Sequence, residues 1–165
     1  MKFAGRTWVF GDNINTDLMY PNTSFRATEE ERRKLVFSAN RQGWSAEVRR
    51  GDILVGGVNF GTGSGRPGAK YIKELGVVAL VAESINGLFL RNCVNYALPA
   101  MECPGVRKII QEGDMLSVDF DSGEVRNMRT GASCKATILP PMLRDILRAG
   151  GILQILARDG YIDPV

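Results

Sequence analysis

Residues 51–82 read GDILVGGVNFGTGSGRPGAKYIKELGVVALVA, and this stretch predicts the centre of the fold. Its first apolar run, ILVGGV, is rich in β-branched residues and short enough for a buried strand. A glycine-rich loop leads into a helix with Tyr71, Ile72 and Leu75 on one face, and Gly76 stands where a left-handed cap is expected. A second apolar run, VVALVA, completes a strand–helix–strand unit whose strands we expect to be parallel, with a right-handed crossover.

The flanking segments extend this unit into a single α/β domain spanning residues 1–165. We expect a mixed, largely parallel sheet with flanking helices and one β-hairpin. Thr28 and Glu31 have the spacing of a capping box, and Ser84 and Pro104 are expected to start two later helices. The predicted elements are a strand in RTWVFG, helices in TEEERRKLVFSA (ending near residues 42–43), SINGLFLRNCVNYA, PGVRKIIQEG and PPMLRDILRAG, a strand in LPAMEC, a hairpin around Asp121-Ser122-Gly123, and an apolar tail in ILQILARDGYI.

Composition narrows the classes of function. A 44% hydrophobic and 24% charged chain with no apolar run long enough to span a bilayer predicts a soluble protein without a membrane partner. The N-terminus lacks the pattern of a secretory signal, so we expect a cytoplasmic protein. The net charge of +3 is small, and basic and acidic residues are interspersed, which argues against a nucleic-acid partner. The chain has no histidine, so any proton transfer must use another group.

The three cysteines predict neither a metal site nor a disulfide framework from their spacing. Cys93, Cys103 and Cys134 include no C-x-x-C pair. Buried or half-buried free thiols that serve packing are the better interpretation.

The glycine-rich loop, GTGSGRPG at 61–68, predicts an anion site. Glycines allow several N–H groups to converge on one point, and a helix begins directly afterwards. The loop lacks the Lys-Ser/Thr pair of a Walker motif and departs from G-x-G-x-x-G, which argues against a nucleotide. Arg66 has the planar, permanent charge that holds a carboxylate through two hydrogen bonds, and Ser64 is two residues away. The alternative is a purely structural turn, with Ser64 as an N-cap and Arg66 solvated.

Four stretches together resemble the small subunits of 3-isopropylmalate dehydratase and homoaconitase, equivalent to the swivelling C-terminal domain of aconitase. They run in the family's order from residue 11 to residue 155: GDNINTDLMYP, GDILVGGVNFGTGSGRPGA, ESINGLFLRNCVNYALPAMEC and LPPMLRDILRAGGILQIL. The family pattern around the loop is approximately N-[FY]-G-x-G-S-S-R-E-H-A. Positions that fit it are Asn59, Phe60, Gly61, Gly63, Ser64, Arg66 and Ala69.

The resemblance implies roles for the loop residues. Ser64 would be the base that removes a proton beside a substrate carboxylate, and Arg66 would bind that carboxylate, with Gly63 and Gly65 lending backbone N–H groups. A serine acts as a base only where its alkoxide is strongly stabilised. Gly65 replaces the family's second serine, and Pro67 and Gly68 replace its Glu-His pair, which points to an altered substrate.

Arg26 is a second candidate substrate-binding residue. It follows the NTD motif, in the segment that helps to distinguish substrates in this family. An arginine there would suit an additional carboxylate, as in homoaconitase, whereas an apolar side chain would suit an isopropyl group. The other interpretation is an ion pair with Glu29 or Glu30 on the following helix.

The implied cofactor is a [4Fe–4S] cluster acting as a Lewis acid on the leaving hydroxyl. The cysteines of this chain lack the family's ligand context, so the cluster is expected on a separate large subunit, in a heterodimer or heterotetramer. The implied function is a hydro-lyase that dehydrates or isomerises a hydroxy di- or tricarboxylate, as 3-isopropylmalate dehydratase does in leucine biosynthesis. The alternatives are homoaconitase, a hydratase of substituted malates or maleates, and a non-catalytic anion-binding paralogue. Isolated chains are expected to self-associate through the apolar C-terminal segment.

Overall fold

The computed structural model describes residues 1–21, 26–63 and 65–164. Within these ranges seven strands form one mixed sheet in the order β4-β3-β2-β1-β5-β6-β7. Three neighbouring pairs are parallel and three are antiparallel, so the expected mixed sheet is confirmed, with its antiparallel part as large as its parallel part. The strands are β1 (Lys2–Val9), β2 (Ile53–Gly56), β3 (Ala79–Ala82), β4 (Ala100–Glu102), β5 (Met115–Asp119), β6 (Glu124–Asn127) and β7 (Ser133–Lys135).

The parallel half is the predicted strand–helix–strand unit with β1 and β4 added. β2 and β3 pair in parallel, and all residues of both strands are buried, as their continuous apolar runs predict. Gly76 has the expected positive φ of 99°, and its N–H closes the preceding helix on the carbonyl of Lys73.

The antiparallel half contains the predicted hairpin of β5 and β6. β5 pairs with β1, which joins the two halves of the sheet. The additional edge strand β7 was not predicted from the sequence. It has only three residues and lacks a buried alternating pattern, so its pairing with β6 has no clear local signal.

Eight helices flank the sheet in the described ranges. The capping box of α2 is confirmed, because Thr28 Oγ1 accepts from the N–H of Glu31 and the Glu31 carboxylate accepts from the N–H of Thr28. No helix within the described ranges has the length and apolar character needed to cross a membrane. The helices are α1 (Thr16–Met19), α2 (Glu29–Leu35), α3 (Trp44–Glu47), α4 (Gly68–Glu74), α5 (Gly87–Asn95), α6 (Val106–Ile109), α7 (Pro141–Arg148) and α8 (Ile152–Arg158).

Helix α2 is shorter than predicted. Its C-cap is Val36, and Phe37 has a left-handed backbone with φ of 57°. Phe37 is fully buried, its N–H donates to the carbonyl of Met19, and its ring stacks on Phe10 at 4.3 Å. Burial of this aromatic side chain therefore prevails over local helix propensity.

Two predicted helix starts are wrong. The N-cap of α5 is Asn86, whose side chain accepts from the N–H of Leu88, whereas the Ser84 hydroxyl accepts from the N–H of Asn59. Helix α6 is a single turn with Gly105 as its N-cap, so Pro104 lies outside it. Contacts with residues distant in sequence decided both boundaries.

Candidate active site

The candidate site lies where the parallel strands end, at their carboxyl edge. Single parallel bridges continue the sheet beyond the strands, joining Asn15 to Thr62 and Phe60 to Ile85. Three of the motifs identified from the sequence, NINTD, NFGTG and ESIN, are therefore adjacent in space. The carboxyl ends of parallel strands are the usual location of ligand sites in open α/β sheets.

Backbone hydrogen bonds hold the glycine-rich loop against the segment after β1. The N–H of Gly61 donates to the carbonyl of Ile14 at 2.7 Å, and the N–H of Thr16 donates to the carbonyl of Thr62 at 2.8 Å. Asn15 caps α1 through a bond of 2.8 Å from the N–H of Leu18 to its side chain. These hydrogen bonds thus fix the backbone of the glycine-rich loop relative to the backbone of the segment after β1.

Close packing requires glycine at two loop positions. Gly61 has φ of 79°, and a Cβ there would lie 2.2 Å from the Phe89 ring. Gly63 has φ of 107°, and a Cβ there would lie 2.8 Å from Thr16 Oγ1. At both positions the backbone is left-handed and a neighbouring side chain lies where a Cβ would be, and only glycine tolerates this combination without strain.

Among the described residues of the loop, Gly63 and Gly65 are exposed. Their backbone N–H groups donate to no other residue in the described ranges. Ser64 stands between them in the sequence and lies outside the described residues. The expectation that these glycines offer donors to an anion remains a prediction.

Arg66 is held beside the loop. Its side chain is only 11% exposed, so the alternative interpretation as a solvated arginine is wrong. Its Nη1 donates to the backbone carbonyl of Tyr20 at 2.7 Å, and its Nη2 forms an ion pair with Asp17. The Asp17 side chain is 59% exposed, so this pair faces solvent on one side. Asp17 was not identified from the sequence as a partner of Arg66.

Stacked aromatic rings support this arginine. Tyr20, directly after α1, stacks on Tyr71 of α4 with ring centroids 5.0 Å apart. Both rings are 2% exposed, and Tyr71 Oη donates to the Glu29 carboxylate at 3.2 Å. A buried, hydrogen-bonded stack limits movement of the Tyr20 carbonyl and therefore of Arg66.

A second ion pair joins the segment after β1 to helix α6. Asp12 Oδ1 accepts from Arg107 Nη1 at 2.6 Å and from the N–H of Val58 at 2.8 Å. The side chain of Asn59 donates to Asn13 Oδ1 at 3.1 Å, and both asparagines have positive φ values near 55°. The Arg107–Asp12 pair had no sequence signal, because the two residues are 95 positions apart.

Arg26 is not joined to this constellation by any contact within the described ranges. Its side chain is exposed and lines a groove of about 360 Å³ with Glu31, Lys34 and Leu35. The alternative pairing with Glu29 or Glu30 is not observed, because Glu29 pairs with Arg32 and Lys70, and Glu30 pairs with Lys34. The segment between Arg26 and Pro21 lies outside the described residues, so the substrate-binding role stays a prediction.

The described residues contain no cluster of three or more histidine, cysteine or acidic side chains able to hold a metal ion. Cys93 is buried in α5, whereas Cys103, directly after β4, contacts Cys134 in β7. These positions do not bring three thiols together, so the cysteines of this chain do not fit the ligand set of an iron–sulfur cluster.

Comparisons with known proteins agree with this architecture. Residues 10–104 match the model of the aconitase C-terminal domain. The 3-isopropylmalate dehydratase small subunit of Aquifex aeolicus is 39% identical over 156 residues, covering 93% of each chain. The isopropylmalate/citramalate isomerase small subunit of Methanocaldococcus jannaschii is 38% identical over 156 residues, again covering 93% of each.

A solved structure gives the same result for the fold. The crystal structure of 3-isopropylmalate dehydratase from Methanocaldococcus jannaschii superposes with a TM-score of 0.89 at 30% identity, covering 98% of this chain and 96% of that chain. The ends of β2, β3 and β4, the glycine-rich loop and Arg66 all fall within residues 10–104, which match the aconitase C-terminal domain model. The chain belongs to the aconitase C-terminal domain family, together with the small subunits of 3-isopropylmalate dehydratase.

Proposed function

We propose that this chain is the small subunit of a hydro-lyase that isomerises 3-isopropylmalate or a closely related alkylmalate, and that it acts as one cytoplasmic swivelling domain. The observation that carries the proposal is Arg66, which is nearly buried, oriented by Tyr20 and Asp17, and placed beside the exposed glycines of the loop. A guanidinium in this setting matches the geometry of a substrate carboxylate.

Arg66 would bind and orient the substrate. A carboxylate at Arg66 would lie near Gly63 and Gly65, whose N–H groups donate to no other residue in the described ranges. The same N–H groups would stabilise negative charge that develops close to the loop. In this arrangement one permanent cation and several backbone dipoles act together on the reacting end of the substrate.

Ser64 would remove the proton from the carbon beside that carboxylate. The assignment rests on the family motif and on the position of Ser64 between Gly63 and Gly65 in the sequence. Its alkoxide needs strong electrostatic support, which Arg66 and the neighbouring N–H groups would supply. Such a base also accounts for acid–base chemistry in a chain without histidine.

The large subunit would complete the site. The [4Fe–4S] cluster expected on that subunit would supply a Lewis acid for departure of the substrate hydroxyl. Return of water with the opposite regiochemistry would complete an isomerisation. Without its partner, self-association of the small subunit would cover the exposed apolar side chains of Leu153, Tyr161 and Ile162 near the C-terminus.

An alkylmalate range broader than 3-isopropylmalate is the second candidate. The relative from Methanocaldococcus jannaschii named isopropylmalate/citramalate isomerase small subunit is as similar to this chain as the dedicated dehydratase subunit of Aquifex aeolicus. Replacement of the family's Glu-His pair by Pro67 and Gly68 removes two bulky side chains next to Arg66, which favours a change in the substrate accepted.

The test is anaerobic reconstitution with the large subunit encoded beside its gene. Turnover would be measured with 3-isopropylmalate, citramalate and homoaconitate, using wild type and Ser64→Ala. We expect turnover of an alkylmalate by wild type and a loss of at least about 1,000-fold in Ser64→Ala. Full activity in Ser64→Ala would refute the base assignment. A cluster-loaded complex that turns over none of the three substrates would refute the proposed function.

A further inference from the structure

The two edge strands of the sheet lie next to one another in space. β4 and β7 occupy opposite ends of the strand order, yet the N–H of Thr137, just after β7, donates to the carbonyl of Glu102 at 2.7 Å. α6 contacts strands of both halves, namely β2, β3, β6 and β7. The sheet therefore curls until its parallel and antiparallel edges meet.

Two thiols face one another across this junction. Cys103 directly follows β4, Cys134 lies within β7, and their Sγ atoms are 2.9 Å apart. Each Sγ has the other as its only hydrogen-bond partner within the described ranges. A disulfide bond is about 2.05 Å long, so bond formation needs a movement of less than about 1 Å.

We propose that Cys103 and Cys134 are an oxidation site, where a reversible disulfide covalently joins the two edges of the sheet. The sequence spacing gave no sign of this pair, because 31 positions separate the cysteines and the intervening hairpin brings them together.

The different burial of the two thiols sets the order of events. Cys103 is fully buried, whereas Cys134 is half-buried and can be reached from solvent. With hydrogen peroxide as oxidant, the Cys134 thiolate attacks one oxygen, forming a sulfenic acid and releasing hydroxide. The Cys103 thiol then attacks the sulfenic sulfur of Cys134 and forms the disulfide, and the oxygen of the sulfenic acid leaves as water. Two thiols and one peroxide thus give one disulfide and two water molecules.

Burial governs the rate of this step. Desolvation raises the pKa of Cys134, although the hydrogen bond with Cys103 opposes the rise, and desolvation raises the pKa of Cys103 as well. Since the thiolate is the attacking species, oxidation is slow at neutral pH and accelerates as the pH increases. The pair therefore responds to sustained exposure to oxidant.

Cys93 provides an internal reference. It is fully buried in α5, within the core cluster that contains Phe60 and Phe89, whereas Cys103 belongs to the cluster on the other face of the sheet. Cys93 makes no hydrogen bond with either thiol of the pair in the described ranges. It should remain reduced when the other two are linked.

The experiment counts thiols in the full chain before and after treatment with hydrogen peroxide at pH 8. Each sample is denatured in the presence of N-ethylmaleimide, which alkylates free thiols, and the mass of the intact chain is then measured. Digestion after glutamate separates Cys93 from Cys103, because Glu102 lies between them. Cys134→Ser is the matched variant and Cys134→Ala a second one, in case the hydroxyl disturbs the junction.

We expect three maleimide groups on the reduced chain and one, on Cys93, after oxidation. The linked peptide should contain Cys103 and Cys134, and dithiothreitol should restore three reactive thiols. The disulfide should raise the melting temperature by about 5–10 °C, since it closes a loop of about 30 residues in the unfolded chain. Neither Cys134 variant should show the link or the rise.

Three results would overturn the proposal. The first is three reactive thiols after treatment, or addition of oxygen to Cys134 without a link. The second is a disulfide that involves Cys93 or joins two chains. The third is the correct link with an unchanged melting temperature, which would show that the bond does not hold the edges of the sheet together.

Discussion

Arg66 Nη1 donates a hydrogen bond of 2.7 Å to the backbone carbonyl of Tyr20, 46 positions earlier in the chain. This bond joins the glycine-rich loop to the segment that follows the NTD motif. Tyr20 is itself held by its stack on Tyr71, in the helix that Arg66 precedes. Two elements distant in sequence therefore fix one cation at the strand ends, which is the preorganisation that carboxylate binding requires.

Replacing this cation should impair turnover while leaving the fold intact. In the reconstituted enzyme, Arg66→Ala should lower kcat/KM by about 100- to 1,000-fold, because the substrate carboxylate loses a positioned, charge-assisted donor. Arg66→Lys should recover only part of the loss, because lysine keeps the charge and lacks the planar pair of donors. Steady-state kinetics with the preferred substrate would measure both.

Arg158→Ala is the matched control, because it removes an arginine side chain outside the candidate site. Arg158 is exposed in α8 and bonds only to Asp159, its neighbour, within the described ranges. It should keep wild-type kinetics. A reduction in Arg66→Ala no larger than in Arg158→Ala would contradict the role of Arg66.

Asp17 should act as a positioning residue for Arg66. Asp17→Ala removes the ion-pair partner but leaves the Tyr20 carbonyl, so kcat/KM should fall by about 10-fold, less than in Arg66→Ala. Asp17→Asn, which keeps a hydrogen-bond acceptor, should recover part of the loss. A lower KM in Asp17→Ala would instead mean that the carboxylate competes with the substrate for Arg66.

Alanine substitutions at the two exposed glycines of the loop should differ in their effect on stability, because only Gly63 has a positive φ. Gly63→Ala forces a side chain into a φ of 107° and to 2.8 Å from Thr16 Oγ1. This should cost roughly 1–3 kcal/mol of unfolding free energy, or about 3–10 °C in melting temperature. Gly65 lacks a positive φ, and its nearest contact would be Leu88 at 4.0 Å, so Gly65→Ala should stay within about 0.5 kcal/mol of wild type. Equal melting temperatures for the two variants would refute the strain argument.

The sequence predicted elements whose signals are local. The Thr28–Glu31 capping box, the cap at Gly76 and the central parallel strands depend on residues a few positions apart or on continuous apolar runs. The family resemblance also singled out the glycine-rich loop and the segment after the NTD motif, and Arg66 joins these two segments through Tyr20 and Asp17. These features do not depend on the rest of the fold for their recognition.

Features that depend on distant partners could not be predicted. The Ser84 hydroxyl has the chemistry of an N-cap, but the N–H of Asn59 occupies it, and Asn86 caps α5 instead. Glu83 similarly binds the N–H groups of Gly105 and Arg107 at the start of α6. Burial of Arg66 and its pairing with Asp17 likewise become visible only when the strand ends are placed side by side.

Asp114 should make stability depend on pH in the acidic range. Its side chain is 8% exposed and accepts from Arg129 Nε at 2.6 Å, the Gln111 N–H at 2.9 Å and Asn127 Nδ2 at 2.8 Å. The bond from Arg129, followed by the one from Gln111, holds the pKa of Asp114 well below its usual value, although desolvation opposes them. The folded state therefore takes up this proton at lower pH than the unfolded chain, in which an aspartate has a pKa of about 3.9.

The stabilisation from Asp114 is consequently complete above about pH 4 and is lost as the pH falls towards the folded-state pKa. Asp114→Asn should melt at a lower temperature than wild type at pH 7, because Arg129 loses its anionic partner. The difference should narrow as the pH is lowered below about 4, since the wild-type carboxyl then loses its charge as well. Melting curves between pH 7 and pH 2.5 would measure this, with Asp163→Asn, an exposed position near the C-terminus, as the control that should follow wild type throughout. A melting-temperature difference between Asp114→Asn and wild type that stays constant from pH 7 to pH 2.5 would show that the charge of Asp114 does not contribute to stability.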